Sequence, residues 1–205
     1  MDLKAHWEHV YDAKRPDELS WFQPEARTSR ELIERFASNR DLHIVDVGGG
    51  ASTLVDGLLA SGYQQLSVLD LSGAALTQAK QRIGASGATV SWIEGDVLNN
   101  ALADASVDVW HDRAVFHFLT DTADRARYVS QVQRIVRSGG FVLVATFAED
   151  GPSRCSGLDV ARYSATELHA EFGADFRVVE SLREEHHTPW GARQAFTYCL
   201  CRLTG

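Results

Sequence analysis

The sequence predicts an α/β protein, a doubly wound and mostly parallel sheet of seven strands that ends in a C-terminal antiparallel hairpin. Three observations predict it. Short apolar runs alternate with stretches of helical period, the pattern of strand–helix units joined by right-handed crossovers. One run, Phe141-Val142-Leu143-Val144-Ala145, is apolar throughout, as expected of a strand covered on both faces. The last two strand-like runs, Phe176 to Glu185 and Gln194 to Leu203, are joined by a link far too short for a parallel crossover, so they pair antiparallel.

Glu25 to Ala37 reads as a helix through Leu32, Ile33, Phe36 and Ala37, whereas Trp7 through Pro24 holds Trp7, Tyr11, Trp21 and Phe22 without clean periodicity. His43 to Val47 is the first strand and stops at Gly48-Gly49-Gly50. Leu54, Val55, Leu58 and Leu59 then mark one face of a helix. Leu66 to Asp70 is the second strand, and Leu76, Ala79 and Ile83 mark the helix after it. Val90 to Ile93 and Val107 to Trp110 are the third and fourth strands. Tyr128, Val129, Val132, Ile135 and Val136 share a helical face that ends at Ser138-Gly139-Gly140, residues tolerant of left-handed or tight backbone. After the fifth strand, the capping box Ser164-Ala165-Thr166-Glu167 opens a helix ahead of the hairpin.

Composition bounds the function. Hydrophobic residues at 44% and charged residues at 23% describe an ordered chain, and 205 residues without a Ser/Gly/Pro-rich tract predict one domain. A net charge of −8 without a basic cluster disfavours a nucleic-acid partner. No apolar run approaches the roughly 18 residues of a membrane span, and Met1 to His6 contains no apolar leader. Three cysteines cannot close a disulfide framework, which fits a reducing, cytoplasmic compartment.

In an open parallel sheet, ligands sit beyond the carboxyl ends of the strands. After the first strand, the glycines let a ligand approach the main chain, and the helix that follows offers N–H groups to negative charge. Asp70 ends the second strand, twenty residues beyond Gly50, where a carboxylate accepts from the vicinal hydroxyls of a ribose. Asp96, after the third strand, is placed to accept from an exocyclic amine. Each feature alone is commonly a turn or a cap; in order at successive strand ends they point to an adenosine-containing cofactor. A nicotinamide fingerprint fails, because Thr53 stands where its third glycine belongs.

Taken together, Val45-Asp46-Val47-Gly48-Gly49-Gly50, Val68-Leu69-Asp70-Leu71-Ser72, Glu94-Gly95-Asp96-Val97, Val107-Asp108-Val109-Trp110-His111-Asp112 and Arg137-Ser138-Gly139-Gly140-Phe141-Val142-Leu143 resemble the class I S-adenosylmethionine (SAM)-dependent methyltransferases. The resemblance runs from about residue 40 to the C-terminus and implies that family's Rossmann-like, seven-stranded sheet with a reversed last strand. It implies SAM as cofactor, with Asp46, Gly48, Gly50 and Ser52 against its methionine part. It further implies Asp70 on the ribose, Leu71 beside the adenine, Asp96 and Val97 at the adenine edge, and Asp112 within the same cofactor set. Ser52 replaces the family's third glycine, and Ser138 replaces the proline of its Pro-Gly-Gly turn. Residues 1–40 would then be an N-terminal lid and helix, with Trp21, Phe22 and Tyr11 as lid residues, and residues 41–205 the cofactor-binding core.

Methyl transfer from a sulfonium is an in-line displacement that needs an oriented acceptor, little water, and a base only when the nucleophile arrives protonated. The Asn/Asp-Pro-Pro-Tyr motif of nucleic-acid amine methylators is absent after the fourth strand. Asp112-Arg113-Ala114 resembles the Asp-Arg-Gly stretch of the thiopurine S-methyltransferase group, whose arginine lies near the acceptor. A similar Asp-Lys-Gly in protein-lysine methyltransferases keeps a protein acceptor open. Arg113 would steer an anionic acceptor or pair with Asp112 or another carboxylate. His111, His117 and Tyr11 are the other acceptor-side candidates, each histidine either a base or a packed side chain. Cys199 and Cys201 share a strand face, and with Cys155 could form a three-thiolate site, although their spacing matches no arsenite methyltransferase and no metal site is expected. Three functions stay open: methylation of a small molecule, such as a thiol or other soft nucleophile; methylation of a protein; and a SAM-binding regulatory module.

Overall fold

The computed structural model describes residues 2–205. Its main sheet has the order β3-β2-β1-β4-β5-β9-β8. β1 (His43–Val47), β2 (Gln65–Asp70), β3 (Ser91–Glu94), β4 (Val107–Arg113) and β5 (Val136–Phe147) run parallel. β9 (Arg193–Leu203) inserts antiparallel between β5 and β8 (Phe176–His187), the reversed strand that the short link requires. Strand order reverses between β1 and β4, which places the ligand crevice at the ends of those two strands.

Helices cover both faces. Leu32 and Ile33 of α2 (Arg27–Phe36), Leu54 and Leu58 of α3 (Leu54–Ala60) and Leu76 of α4 (Gly73–Ile83) pack against Ile44, Val68 and Leu143. On the other face, Tyr128 and Val132 of α5 (Thr122–Ile135) and Leu168 of α6 (Ala165–Phe172) pack against Val45, Val142 and Cys199. Alternating strand residues feed the two cores, as a pleated strand covered on both sides must. The capping box forms as expected: Ser164 Oγ accepts from Glu167 N at 3.2 Å, and Glu167 Oε2 accepts from Ser164 N at 2.9 Å.

Four departures from the sequence reading bear on the site. The aromatic N-terminal segment contains a helix, α1 (Leu3–Ala13), started by Asp2, whose side chain accepts from Ala5 N at 3.1 Å. Its apolar contacts with the body come from Trp7, Val10 and Tyr11, too few positions for a clear period. β4 extends through Asp112 to Arg113, because those polar residues continue the ladder against Val144 and Ala145. α5 stops at Ile135, and Val136 already pairs with Val107; a register shift follows, with Gly139 at φ +79°. The loop after β5 holds a small hairpin of β6 (Arg154–Cys155) and β7 (Leu158–Asp159), turned by Ser156 and Gly157 at positive φ.

Candidate active site

The site begins where β1 ends. Gly48 and Gly50 have φ +62° and +34°, conformations that glycine adopts without strain. A Cβ on Gly48 would fall 2.0 Å from Val115 Cγ2, and one on Gly50 would fall 2.7 Å from Asp70 Oδ2 and 3.1 Å from the Tyr11 hydroxyl. A side chain at either place would fill the crevice, so the loop keeps an open backbone cradle.

Two spaces open from this cradle. A small chamber of about 50 Å³ is bordered by Asp46, Ser52, His111 and Phe22. A larger cavity of about 790 Å³ has Asp70, Leu71, Asp96 and Val97 among its walls from the β2–β3 side, and Val115, Phe118 and Cys155 from the β4–β5 side. Tyr11, Trp21, Gly48 and Arg113 border both spaces and form the neck between them. The larger volume is in the range of small-molecule sites. Its cover is aromatic: the Trp7 ring lies 5.8 Å from Trp21 and 5.2 Å from Phe118, edge to face.

The chamber is polar at its base. Asp46 Oδ1 lies 2.7 Å from His111 Nδ1, and His111 Nε2 lies 2.8 Å from Ser29 Oγ on α2. Asp46 Oδ2 is buried and has no partner among the described residues. Ser52 Oγ accepts from Leu54 N at 3.1 Å and keeps its own proton to donate.

Asp70 is the most perturbed carboxyl of the cavity wall. Burial pushes it up to about 7, opposed by the N–H groups of Ser72 and Gly50 and supported by the nearby charges of Asp46 and Glu8. Ser72 N donates to its Oδ1 at 2.8 Å. Asp96 Oδ1 accepts from Leu98 N at 2.9 Å. Glu8 of α1 reaches across to the start of α4 and accepts from Ser72 Oγ at 3.0 Å, Gly73 N at 2.8 Å and Ala74 N at 3.0 Å. Burial opposes its ionisation, yet these donors and Lys4 together hold it below its usual value.

Several expected residues stand elsewhere. Asp112 borders neither space. Its oxygens accept from Tyr128 Oη at 2.6 Å, Val115 N at 2.8 Å and Phe116 N at 3.0 Å, so it organises the turn after β4. Burial raises it to about 6 against those donors. His117 also lies outside both linings; it is fully buried between Phe118 and Phe147, and burial with the Arg113 charge lowers it to about 3. Neither histidine borders the larger cavity: His111 faces the small chamber with Nε2 turned to Ser29, and His117 lies outside both linings.

Arg113 does reach the neck, but its charge is engaged. Its guanidinium stacks 4.1 Å over Phe196 and donates to Tyr198 Oη at 2.9 Å, Trp21 O at 3.3 Å and Glu184 Oε2 at 3.4 Å. Its partner is thus Glu184 of the C-terminal hairpin, and it ties Trp21 to β8 and β9. Burial resists ionisation of Glu184, and Arg113 with the hydroxyls of Thr28 and Tyr198 holds it low all the same. Cys155 belongs to one core and Cys199 and Cys201 to the other, so the three thiols never converge. Trp7, Phe118 and Glu8 were not among the expected site residues, although Trp7 belongs to the aromatic N-terminal segment. For Trp7 the spacing of four from Tyr11 was the available signal, since it puts both on one helical face.

Residues 45–144 match the family model described as "Methyltransferase domain". A malonyl-[acyl-carrier protein] O-methyltransferase of Pectobacterium atrosepticum is 30% identical over 131 residues, 63% of this chain and 49% of that protein. An eEF1A lysine and N-terminal methyltransferase of Bos taurus is 26% identical over 153 residues, 70% of this chain and 21% of that protein. The chain thus spans half or less of these curated relatives. The crystal structure of a Burkholderia thailandensis 1,6-didemethyltoxoflavin-N1-methyltransferase, with bound 1,6-didemethyltoxoflavin and S-adenosylhomocysteine, superposes with a TM-score of 0.74 at 20% identity. That match covers 99% of this chain and 88% of the other, and the two share the fold.

Proposed function

We propose that this protein, whose chain carries a methyltransferase domain of the SAM-dependent class, methylates a small molecule at a thiol or another soft nucleophile. The observation that carries this reading is the cavity of about 790 Å³, covered by Trp7 and Trp21, with room for a compact acceptor. The residues fit the cofactor. The unpartnered Asp46 Oδ2 suits an ammonium group, and the side-chain-free cradle at Gly48 and Gly50 suits a ligand lying against the backbone. Asp46, Gly48, Gly50 and Ser52 would hold the amino-acid end, Asp70 the ribose hydroxyls, and Leu71, Asp96 and Val97 the adenine. SAM, when bound, supplies a methyl group on a sulfonium, so the chain need not provide a covalent nucleophile.

The walls constrain the acceptor. Burial and the neighbouring Asp70 push the Tyr11 phenol well up, and burial pushes the Cys155 thiol up to about 11. Neither takes up a proton from an acceptor near neutral pH, and neither histidine borders the larger cavity. An acceptor that presents its own electron pair, such as a thiol with a modest pKa, suits such a wall. Its aromatic cover excludes water and favours a flat or apolar body. Arg113, neutralised by Glu184, would position the Trp21 segment rather than draw in an anion. The likeness to the thiopurine S-methyltransferase group rests on Asp112-Arg113-Ala114 alone. The reading includes residues 1–40 as lid, one domain over 1–205, and a cytoplasmic setting in which the cysteines stay reduced. Among the described residues, no helix is long and apolar enough to cross a membrane.

The second reading, a protein acceptor, is favoured by the eEF1A methyltransferase relative. One assay separates them: release of S-adenosylhomocysteine from SAM with small thiols, amines and hydroxyl compounds, and in parallel with protein extract. Turnover with a thiol is expected. Labelling of extract protein while every small acceptor fails overturns the reading, and SAM binding with no turnover on any acceptor leaves a regulatory module instead.

A further inference from the structure

We propose that His111 is a positioning residue which, braced by Ser29, aims Asp46 at the amino-acid end of the cofactor; this rests on the SAM reading above. The three side chains form a buried chain across three elements. Ser29 lies on α2, His111 on β4 and Asp46 on β1, with relative exposures of 1%, 2% and 4%. A carboxylate can only accept, so His111 Nδ1 donates to Asp46 Oδ1, and Ser29 closes the chain at Nε2. With one oxygen tied, the carboxylate cannot rotate, and its other oxygen is fixed.

That second oxygen is the informative one. Asp46 Oδ2 is buried and without a partner among the described residues, and Asp46 and His111 both border the small chamber. A Cβ on Gly49 would lie 2.6 Å from Oδ2, so glycine at this position keeps that oxygen clear. A buried, unpaired carboxylate oxygen is costly unless a ligand supplies a donor. The chain therefore matches the cofactor's ammonium and has no bearing on the adenosine half, which belongs to Asp70, Leu71 and Asp96 in the larger cavity. Ser29 carries the same effect into α2, at the border of the N-terminal segment.

The test uses two ligands that differ at that end. S-Adenosylhomocysteine carries the amino acid, whereas 5′-deoxy-5′-methylthioadenosine keeps the adenosine and thioether and lacks it. Calorimetric affinities for both are measured on the wild type and on His111→Leu, His111→Asn and Ser29→Ala. In His111→Leu, S-adenosylhomocysteine should bind tenfold or more weaker, with methylthioadenosine within twofold of wild type. His111→Asn, which keeps a donor where Nδ1 stands, should recover much of the loss, and Ser29→Ala should show a smaller split of the same sign. If His111→Leu does not fold, His111→Asn and Ser29→Ala decide the matter, since both keep Asp46 compensated. Equal losses for the two ligands, or no loss for either, overturn the proposal. A wild type that binds neither ligand removes the cofactor reading itself, and this inference with it.

Discussion

Replacing Asp70 with Asn should weaken S-adenosylhomocysteine in a way that also erases a pH dependence. An ionised carboxylate offers about four lone-pair positions. Ser72 N occupies one of them at 2.8 Å, and the Gly50 N–H takes up a second. About two remain, the number that a ribose diol requires. Asn offers an amide where one of those acceptors stood and carries no charge. Losing a hydrogen bond to a charged group costs about 1.5–3 kcal/mol, or roughly 10- to 150-fold in affinity. Burial holds Asp70 at about 7, so in the wild type the ionised form that accepts from the diol gains population as pH rises through that value. Wild-type affinity should therefore fall roughly tenfold between about pH 8 and about pH 6, while the variant stays flat. Stability moves the other way. Folding raises this carboxyl from 3.8 to about 7, so the native state holds a proton that the unfolded chain has lost, and the contribution of Asp70 to stability declines as pH rises through that window. Asp70→Asn should thus melt no lower than wild type at pH 8. Calorimetry and thermal unfolding read both effects. An affinity within twofold of wild type, or a wild-type profile that is flat, refutes the assignment of Asp70 to the ribose.

Three further outcomes follow from the geometry. Tyr128→Phe removes the hydroxyl that accepts from Trp110 Nε1 at 2.9 Å and donates to Asp112 Oδ2 at 2.6 Å. Two buried groups lose a partner, so urea unfolding should show a loss of about 2–4 kcal/mol. Ala114 sits at φ +73° on the cavity wall; Ala114→Gly should relieve that strain and, after its entropy cost, raise stability by about 0.5–1 kcal/mol. Glu8→Ala unties α1 from the start of α4, a helix-terminus contact worth about 1 kcal/mol, and stopped-flow release of S-adenosylhomocysteine should quicken about fivefold.

What the sequence reveals and what it hides divides along a physical line. The strands were legible because burial on both faces leaves continuous apolar runs such as Val142 to Ala145, and the hairpin because its link is short. That Gly48, Asp70 and Asp96 border one cavity was legible because successive strand ends bring them together. α1 was not, since a helix lying over a cavity mouth needs apolar contact on only a narrow face, here Trp7, Val10 and Tyr11. For Arg113 the sequence allowed pairing with a carboxylate, which is what forms, but which residues His111 and Arg113 would meet was hidden. Their partners Ser29 and Glu184 lie 82 and 71 residues away, brought close only by the packing of α2 and the hairpin against the sheet. Asp112 shows the opposite hazard, a carboxylate at the right strand end whose oxygens are consumed by its own turn and by Tyr128.

The cradle after β1, with Asp70 and Asp96, is expected to receive an S-adenosyl cofactor. Titration calorimetry with S-adenosylhomocysteine, and with NAD as the competing adenosine cofactor, tests it most directly. Saturable binding of one S-adenosylhomocysteine per chain, with no heat from NAD, is the expected result. Absence of binding by S-adenosylhomocysteine, or comparable binding by NAD, would contradict it.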